Sequence, residues 1–245
     1  TSQSPNLQPM RPWSDRPIQD CLEPLDHLPP PLFRIEPHPY ASVGAPYGQN
    51  KDPFRLRSGV VSRLLEAQDQ LRNRAPHLHF AIFDAWRPIS VQAFMVNYTV
   101  DQLCRERGID RDDPGQKADL HNVESEVGRF WAPPSRNPQT PPPHSTGAAV
   151  DLTLATDAGE LLEMGGPIDA IGAVSEPDYF AKAFDPAEQL FHQRRELLRS
   201  VMASAGFAQH PNEWWHYSYG DQLWAWRSGA EVAIYAEVGS NSATP

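Results

Sequence analysis

Apolar positions along the chain recur with two distinct periods. From Ser58 to about Ala75, the residues Val61, Leu64, Leu65, Gln68 and Leu71 share one face at helical spacing, with Ser58 placed to cap the first turn. Residues 78–84, Leu-His-Phe-Ala-Ile-Phe-Asp, alternate instead with the period of two of a strand and lead into Arg87-Pro88. A second helix is predicted from about Ser90, burying Val91, Phe94, Met95 and Tyr98 and stopping at Gly108. Residues 109–143 read as a long polar loop that closes with Pro133-Pro134 and Pro141-Pro142-Pro143. Loops of that length are uncommon unless they cover or shape a site. Alternation returns over 148–154, where Val150, Leu152 and Leu154 share one face and leave Asp151 and Thr153 on the other. Asp185-Pro186 opens a third helix with Leu190, Leu197, Leu198, Val201 and Met202 as its apolar stripe, stopped by Gly206. Trp214 to Tyr219 reads as an aromatic strand, and 231–238 as a late one. Helices around short, sequentially separated strands predict an α+β fold: one domain with a small, mostly antiparallel central sheet flanked by helices.

Proline changes this picture at the start of the chain. Residues 1–39 hold ten of the 26 prolines, and proline fixes φ and removes an amide donor, so an extended, irregular arm is expected there. The remainder, 40–245, is read as the catalytic domain. At 245 residues the chain is long enough to bury a real core. A formal charge of −10 argues against nucleic acid or an anionic membrane as partner, because phosphate binding needs a basic face. No apolar run approaches the ~20 residues of a membrane span. The two cysteines, Cys21 and Cys104, lie far apart and outside any C-x-x-C motif, which disfavours a disulfide framework and a thiolate metal site. A cytoplasmic location is expected, although a mature chain trimmed of a leader would look the same.

The chemistry lies in two segments. His144-Ser-Thr-Gly-Ala-Ala-Val-Asp151 and Glu213-Trp-Trp-His216-Tyr bring two imidazoles and two carboxylates into apolar, strand-like surroundings. An ionised carboxylate is costly there unless something pairs with it. A zinc ion held by His144, Asp151 and His216 would remove that cost, leaving Glu213 to take a proton from a metal-bound water. The zinc site would then sit on the sheet. For Asp151 the plainer alternative is a buried carboxylate bonded to backbone amides. His77 and His79, spaced i, i+2 without a third ligand nearby, read as ordinary strand residues, and Trp214 and Trp215 as packing around the site.

His-x6-Asp followed by Glu-x-x-His resembles the signature of the M15 family of zinc peptidases. More closely, the chain resembles the D-alanyl-D-alanine dipeptidases of vancomycin resistance over roughly residues 40–220. The match runs through Tyr40-Ala41, Phe83-Asp84-Ala85-Trp86-Arg87-Pro88, His144 to Leu154, Met164-Gly165 with Asp169, Arg194 to Phe207 and Glu213 to Tyr217. The resemblance implies one Zn2+ per chain on His144, Asp151 and His216, and Glu213 as general base. It implies Arg87 as the group stabilising the oxyanion, and Tyr40 with Asp169 holding the ammonium of a small dipeptide. Ion pairing with Asp84 is the alternative reading of Arg87, and capping of a turn that of Asp169. The implied activity is hydrolysis of D-Ala-D-Ala, a cell-wall (peptidoglycan) dipeptide, to free amino acids. Rival expectations are a peptidoglycan D,D- or L,D-carboxypeptidase and a non-catalytic zinc-binding module on the same scaffold. Pro142-Pro143 stand where these dipeptidases usually place serines, one of which helps bind substrate, so substrate preference is the point of departure.

Overall fold

The computed structural model describes residues 11–49 and 52–239, so the first ten residues of the proline-rich arm and the last six of the chain lie outside it. In chain order its strands are β1 (Leu25–His27), β2 (Phe33–Arg34), β3 (Arg55–Arg57), β4 (Leu78–Asp84), β5 (Ala149–Thr156), β6 (Ala208–Gln209) and β7 (His216–Ser218). Its helices are α1 (Pro39–Ser42), α2 (Ser58–Arg74), α3 (Ile89–Arg107), α4 (Lys117–Phe130), α5 (Pro186–Ser204) and α6 (Gln222–Ser228). β1 pairs with β3 in a small antiparallel sheet. The central sheet has five strands in the order β2-β4-β5-β7-β6, antiparallel throughout except for the short parallel pairing of β2 with β4.

The period-two pattern of β5 sets its two faces. Val150, Leu152 and Leu154 are all fully buried, in one core cluster with Phe80 and Ile82 of β4, Leu64 and Leu71 of α2, and Leu198 and Met202 of α5. Burying each such side chain stabilises the fold by roughly 1.5–3 kcal/mol. A second cluster joins Val91 and Met95 of α3, Val123 and Val127 of α4, and Tyr40, with Phe83 of β4 packed against it. Asp151 and Thr153, on the opposite face of β5 from the aliphatic row, are buried as well, at 2% and 4% exposure, because that face carries the polar site rather than solvent.

Several expectations need correction. Residues 109–143 are not one long loop: α4 occupies fourteen of them. Val123 and Val127 are its buried residues, and Leu120 and Phe130 pack against the same cluster, so a stripe at helical spacing is present among the charged residues of this segment. Arg57, not Ser58, takes the N-cap position of α2, which has no side-chain cap. By contrast, Asp185 caps α5 through the amides of Ala187 and Glu188. Leu190 is 41% exposed and does not belong to the core stripe of α5, while Arg195 is buried within it. The aromatic strand shrinks to β7, because Trp214 and Trp215 pack in the core before pairing starts. The 231–238 segment forms no strand beyond an isolated bridge between Ala233 and Ile18. α6, unforeseen, is capped by the Asp221 carboxylate on the Trp224 amide.

The described part of the proline-rich stretch lies against the domain. Leu28 and Leu32 enter the main core, and β2 forms an edge of the central sheet. Further upstream the backbone is laced to the segment after Gly220. The Ala233 amide donates to the Pro17 carbonyl at 2.9 Å, the Gln19 amide to the Ala233 carbonyl at 2.9 Å, and the Cys21 amide to the Ile234 carbonyl at 3.0 Å.

Candidate metal and catalytic site

Strand register assembles the site. Asp151 of β5 stands directly opposite His216 of β7, and an irregularity between Ile82 and Asp84 brings Asp84 of β4 opposite Asp151 on the other side. Three adjacent strands thus present Asp84, Asp151 and His216 in one row. His144 arrives from the 3-10 turn Pro143–Thr146 just before β5, reversed by Gly147 at φ 73°. A Cβ on Gly147 would stand 2.5 Å from Leu25 Cδ2, so the turn needs glycine for space as well as for its backbone angle.

His144, Asp151 and His216 each offer a ligand atom, and these atoms lie within 4.8 Å of one another. His144 Nε2 is 3.3 Å from Asp151 Oδ2, and His216 Nδ1 is 3.3 Å from Asp151 Oδ1. Ligand atoms on a tetrahedral ion with arms of about 2.0–2.1 Å stand about 3.3–3.4 Å apart, so this spacing suits zinc. The ring orientations agree. His144 Nδ1–H donates to the Ala85 carbonyl at 2.8 Å, which leaves the Nε2 lone pair facing Asp151. His216 Nε2 is 3.1 Å from Ser218 Oγ, which leaves Nδ1 facing Asp151. Asp151 Oδ1 is buried without a hydrogen-bond partner, an arrangement a cation would satisfy. The alternative of a carboxylate tied to backbone amides does not describe this side chain, whose contacts are the two imidazoles and Arg87.

Electrostatics separates the carboxylates. Burial pushes the Asp151 pKa up, but His144 and His216 outweigh it and hold the group well below the usual carboxylate range. Glu213 is moved the other way, well above its ordinary value, by burial and then by the negative charges of Asp151 and Asp169. Glu213 Oε2 sits 3.8 Å from His216 Nδ1, beside the ligand atoms. Burial lowers the pKa of His216, favouring the neutral imidazole that ligation requires.

Arg87 is paired with Asp84, as one reading of the sequence had it. Its Nε and Nη2 donate to Asp84 Oδ2 at 2.9 and 2.7 Å, and its Nη1 to Gln92 Oε1 at 2.8 Å. Asp84 Oδ1 also accepts from His38 Nε2 at 2.8 Å and from the Tyr47 hydroxyl at 3.2 Å. Nη2 has longer approaches to the Tyr40 hydroxyl at 3.4 Å and to Asp151 Oδ2 at 3.5 Å, so its second hydrogen is the loosely engaged one. The Tyr40 hydroxyl donates to Asp169 Oδ2 at 2.6 Å, joining two residues 129 positions apart. Asp169 holds a left-handed backbone, φ 70°, unusual for a non-glycine residue. Burial, aided by Asp151, raises its pKa to about 7.

All seven residues singled out from the sequence therefore meet in one neighbourhood. His144, Asp151, His216, Glu213, Arg87 and Asp169 line one pocket, and Tyr40 stands behind Asp169. Sequence reasoning missed the supporting groups. Ser218 lies i+2 from His216 on the same strand face and was open to detection by that spacing. Ala85, acting through its backbone carbonyl, and His38, Asp221 and His210, whose amide donates to the His216 carbonyl at 3.0 Å and whose ring lies 5.3 Å from that of His216, are reached only through folding and gave no such signal. His79 is not part of the site; it bonds Asp157 at 2.6 Å and Arg72 at 2.9 Å.

The chain is similar to known proteins over most of its length. The family model described as D-ala-D-ala dipeptidase, of the M15 peptidases, matches residues 34–234. A D-alanyl-D-alanine dipeptidase of Synechocystis sp. is 44% identical over 228 residues, covering 89% of this chain and 91% of that protein. A D-alanyl-D-alanine dipeptidase of Enterococcus faecalis is 41% identical over 80 residues, or 32% of this chain and 37% of that protein. Among solved structures, the vancomycin-resistance D,D-pentapeptidase VanY in complex with Zn(II) aligns at TM-score 0.42 and 16% identity, over 74% of this chain and 83% of that one. On the strength of the family match and the full-length relative, this chain belongs to the M15 peptidases of the D-Ala-D-Ala dipeptidase family.

Proposed function

We propose that this protein is a zinc-dependent dipeptidase that hydrolyses D-Ala-D-Ala, or a closely related dipeptide, to free amino acids. The observation that carries the reading is a single cavity lined by His144, Asp151 and His216, by a protonatable Glu213 beside them, and by the buried carboxylate of Asp169. One zinc ion per chain would be held by the two imidazoles and Asp151. When bound, it supplies Lewis acidity toward the scissile carbonyl and acidifies water.

The chain's own residues do the rest. Glu213 accepts a proton from the attacking water and delivers it to the departing amine, so that water adds across the peptide bond and two amino acids leave. Its environment favours the second half of that task, since burial and Asp151 make a carboxyl that keeps a proton well. Arg87, fixed by Asp84 and Gln92, turns the loosely engaged Nη2 hydrogen toward the side where negative charge develops on the carbonyl oxygen. Asp169, oriented by the Tyr40 hydroxyl, pairs with the substrate ammonium, which sets the length limit at that end.

The test compares free D-Ala-D-Ala with a stem pentapeptide ending in the same two residues. The dipeptide is expected to be cleaved at least 100-fold more efficiently, with Glu213→Gln reducing kcat by about 10²–10⁴ while zinc content is unchanged. A preference for the pentapeptide would identify a carboxypeptidase instead and remove the role given to Asp169.

A further inference from the structure

A zwitterionic dipeptide presents two charges, and the groups above account for one of them. The cavity is lined by three carboxylates, Asp151, Asp169 and Glu213, and by two guanidiniums, Arg11 and Arg87. Arg87 is committed to Asp84 and Gln92, and its one loosely held hydrogen points toward Tyr40 and Asp151. Pro143 and Ala132, also in the lining, offer no side-chain donor. Arg11 differs. Among the described residues its side chain makes one hydrogen bond, from Nη2 to the Gly128 carbonyl at 3.0 Å, and no carboxylate lies within salt-bridge distance of it. It nevertheless faces the acidic side of the site closely enough for its charge to oppose the raised pKa of Glu213. Burial works against that cation, lowering the Arg11 pKa from its usual value. A half-buried guanidinium with spare donors, turned into a substrate cavity, is suited to an incoming carboxylate.

The position is built rather than accidental. Two residues on, Trp13 is 6% exposed and packs edge-on against His210 at 5.5 Å and at a tilt against Trp226 at 5.7 Å. The Arg16 carbonyl accepts from Gln222 Nε2 at 2.8 Å, and the backbone pairing with Ala233 and Ile234 follows directly. The proline-rich arm is thereby fixed across the cavity by the segment after Gly220.

Resting on the dipeptidase reading, we propose that Arg11 binds the C-terminal carboxylate of the substrate, so that the N-terminal arm supplies a specificity residue of the active site. Asp169 demands a free ammonium and Arg11 a free carboxylate, and together they restrict the enzyme to dipeptides.

The experiment measures kcat and KM for D-Ala-D-Ala and for its C-terminal amide, in the wild type, Arg11→Gln and Arg11→Lys. Wild type should prefer the free acid by roughly ten- to hundredfold in kcat/KM, the range for a charge-assisted hydrogen bond. Arg11→Gln should lose that preference mainly through KM on the free acid, with a clearly smaller change on the amide, while Arg11→Lys recovers most of it. An unchanged acid-to-amide ratio in Arg11→Gln would overturn the proposal. So would an equal fall on both substrates, which would place Arg11's influence on the fold or on Glu213. A wild type inactive on both compounds would instead sink the dipeptidase reading itself and take this inference with it.

Discussion

Removing the charge of Asp84 should cost more stability than removing most apolar core side chains. Asp84 is fully buried and accepts two bonds from Arg87 on Oδ2, and one each from His38 and Tyr47 on Oδ1. In Asp84→Asn the new amide nitrogen must face one of those donor pairs, whichever way it turns, and the buried Arg87 charge is left with only its longer approach to Asp151. Breaking a buried pair in this way costs roughly 3–5 kcal/mol. For a domain of this size about 1 kcal/mol corresponds to 2–4 °C, so Tm should fall by roughly 6–20 °C at a fixed zinc concentration. The sign of the pH dependence follows from the native pKa. Burial alone would raise it, but Arg87 and His38 hold it below the ordinary value. The stabilisation is therefore complete above the unfolded pKa of about 4 and is lost as pH falls through the lower native one. Thermal melts of wild type, Asp84→Asn, Arg87→Met and the double variant complete the cycle, and the double variant should recover much of the loss. If Asp84→Asn melts within about 2 °C of wild type, the ion pair is not what holds this part of the sheet together.

Two other outcomes follow from the site. Asp169 must be ionised to hold an ammonium, and its pKa stands at about 7, so kcat/KM should fall as pH drops through the neutral range; Asp169→Asn should lose most activity and flatten that limb of the pH profile. Ser218→Ala removes the acceptor for His216 Nε2 and should weaken zinc binding by about 10–100-fold in a chelator competition, with Tm changed little in excess zinc.

What the sequence disclosed and what it withheld differ for physical reasons. α2 and α5 were visible because each buries a long stripe in the core beside the sheet, α3 because its stripe packs against α4, and β4 and β5 because strand alternation is local. α4 carries a helical stripe of Leu120, Val123, Val127 and Phe130, but the charged and polar residues between them give the segment the composition of a loop. The segment 231–238 was misread because its backbone partners lie some 215 positions earlier, in the arm, and form isolated bonds rather than a ladder. The candidate ligands His144, Asp151 and His216 could be singled out from residue type, spacing and the family resemblance, and the fold brings them within 4.8 Å of one another. Their supports could not, since Ala85 acts through a carbonyl, and His38 and Asp221 come from elements whose approach no local pattern encodes. Arg11 was the least visible of all, an ordinary charged residue in a proline-rich stretch.

The row formed by Asp84, Asp151 and His216 also bears on how the polypeptide reaches its native state. Were β7 to pair with β5 one position out of step, His216 would turn toward the aliphatic side and the imidazole–carboxylate set would be scattered. Capture of a divalent ion thus rewards only the correctly aligned molecule, and misaligned forms gain nothing from it. The same ion that serves hydrolysis would act as a proofreader of strand alignment during maturation.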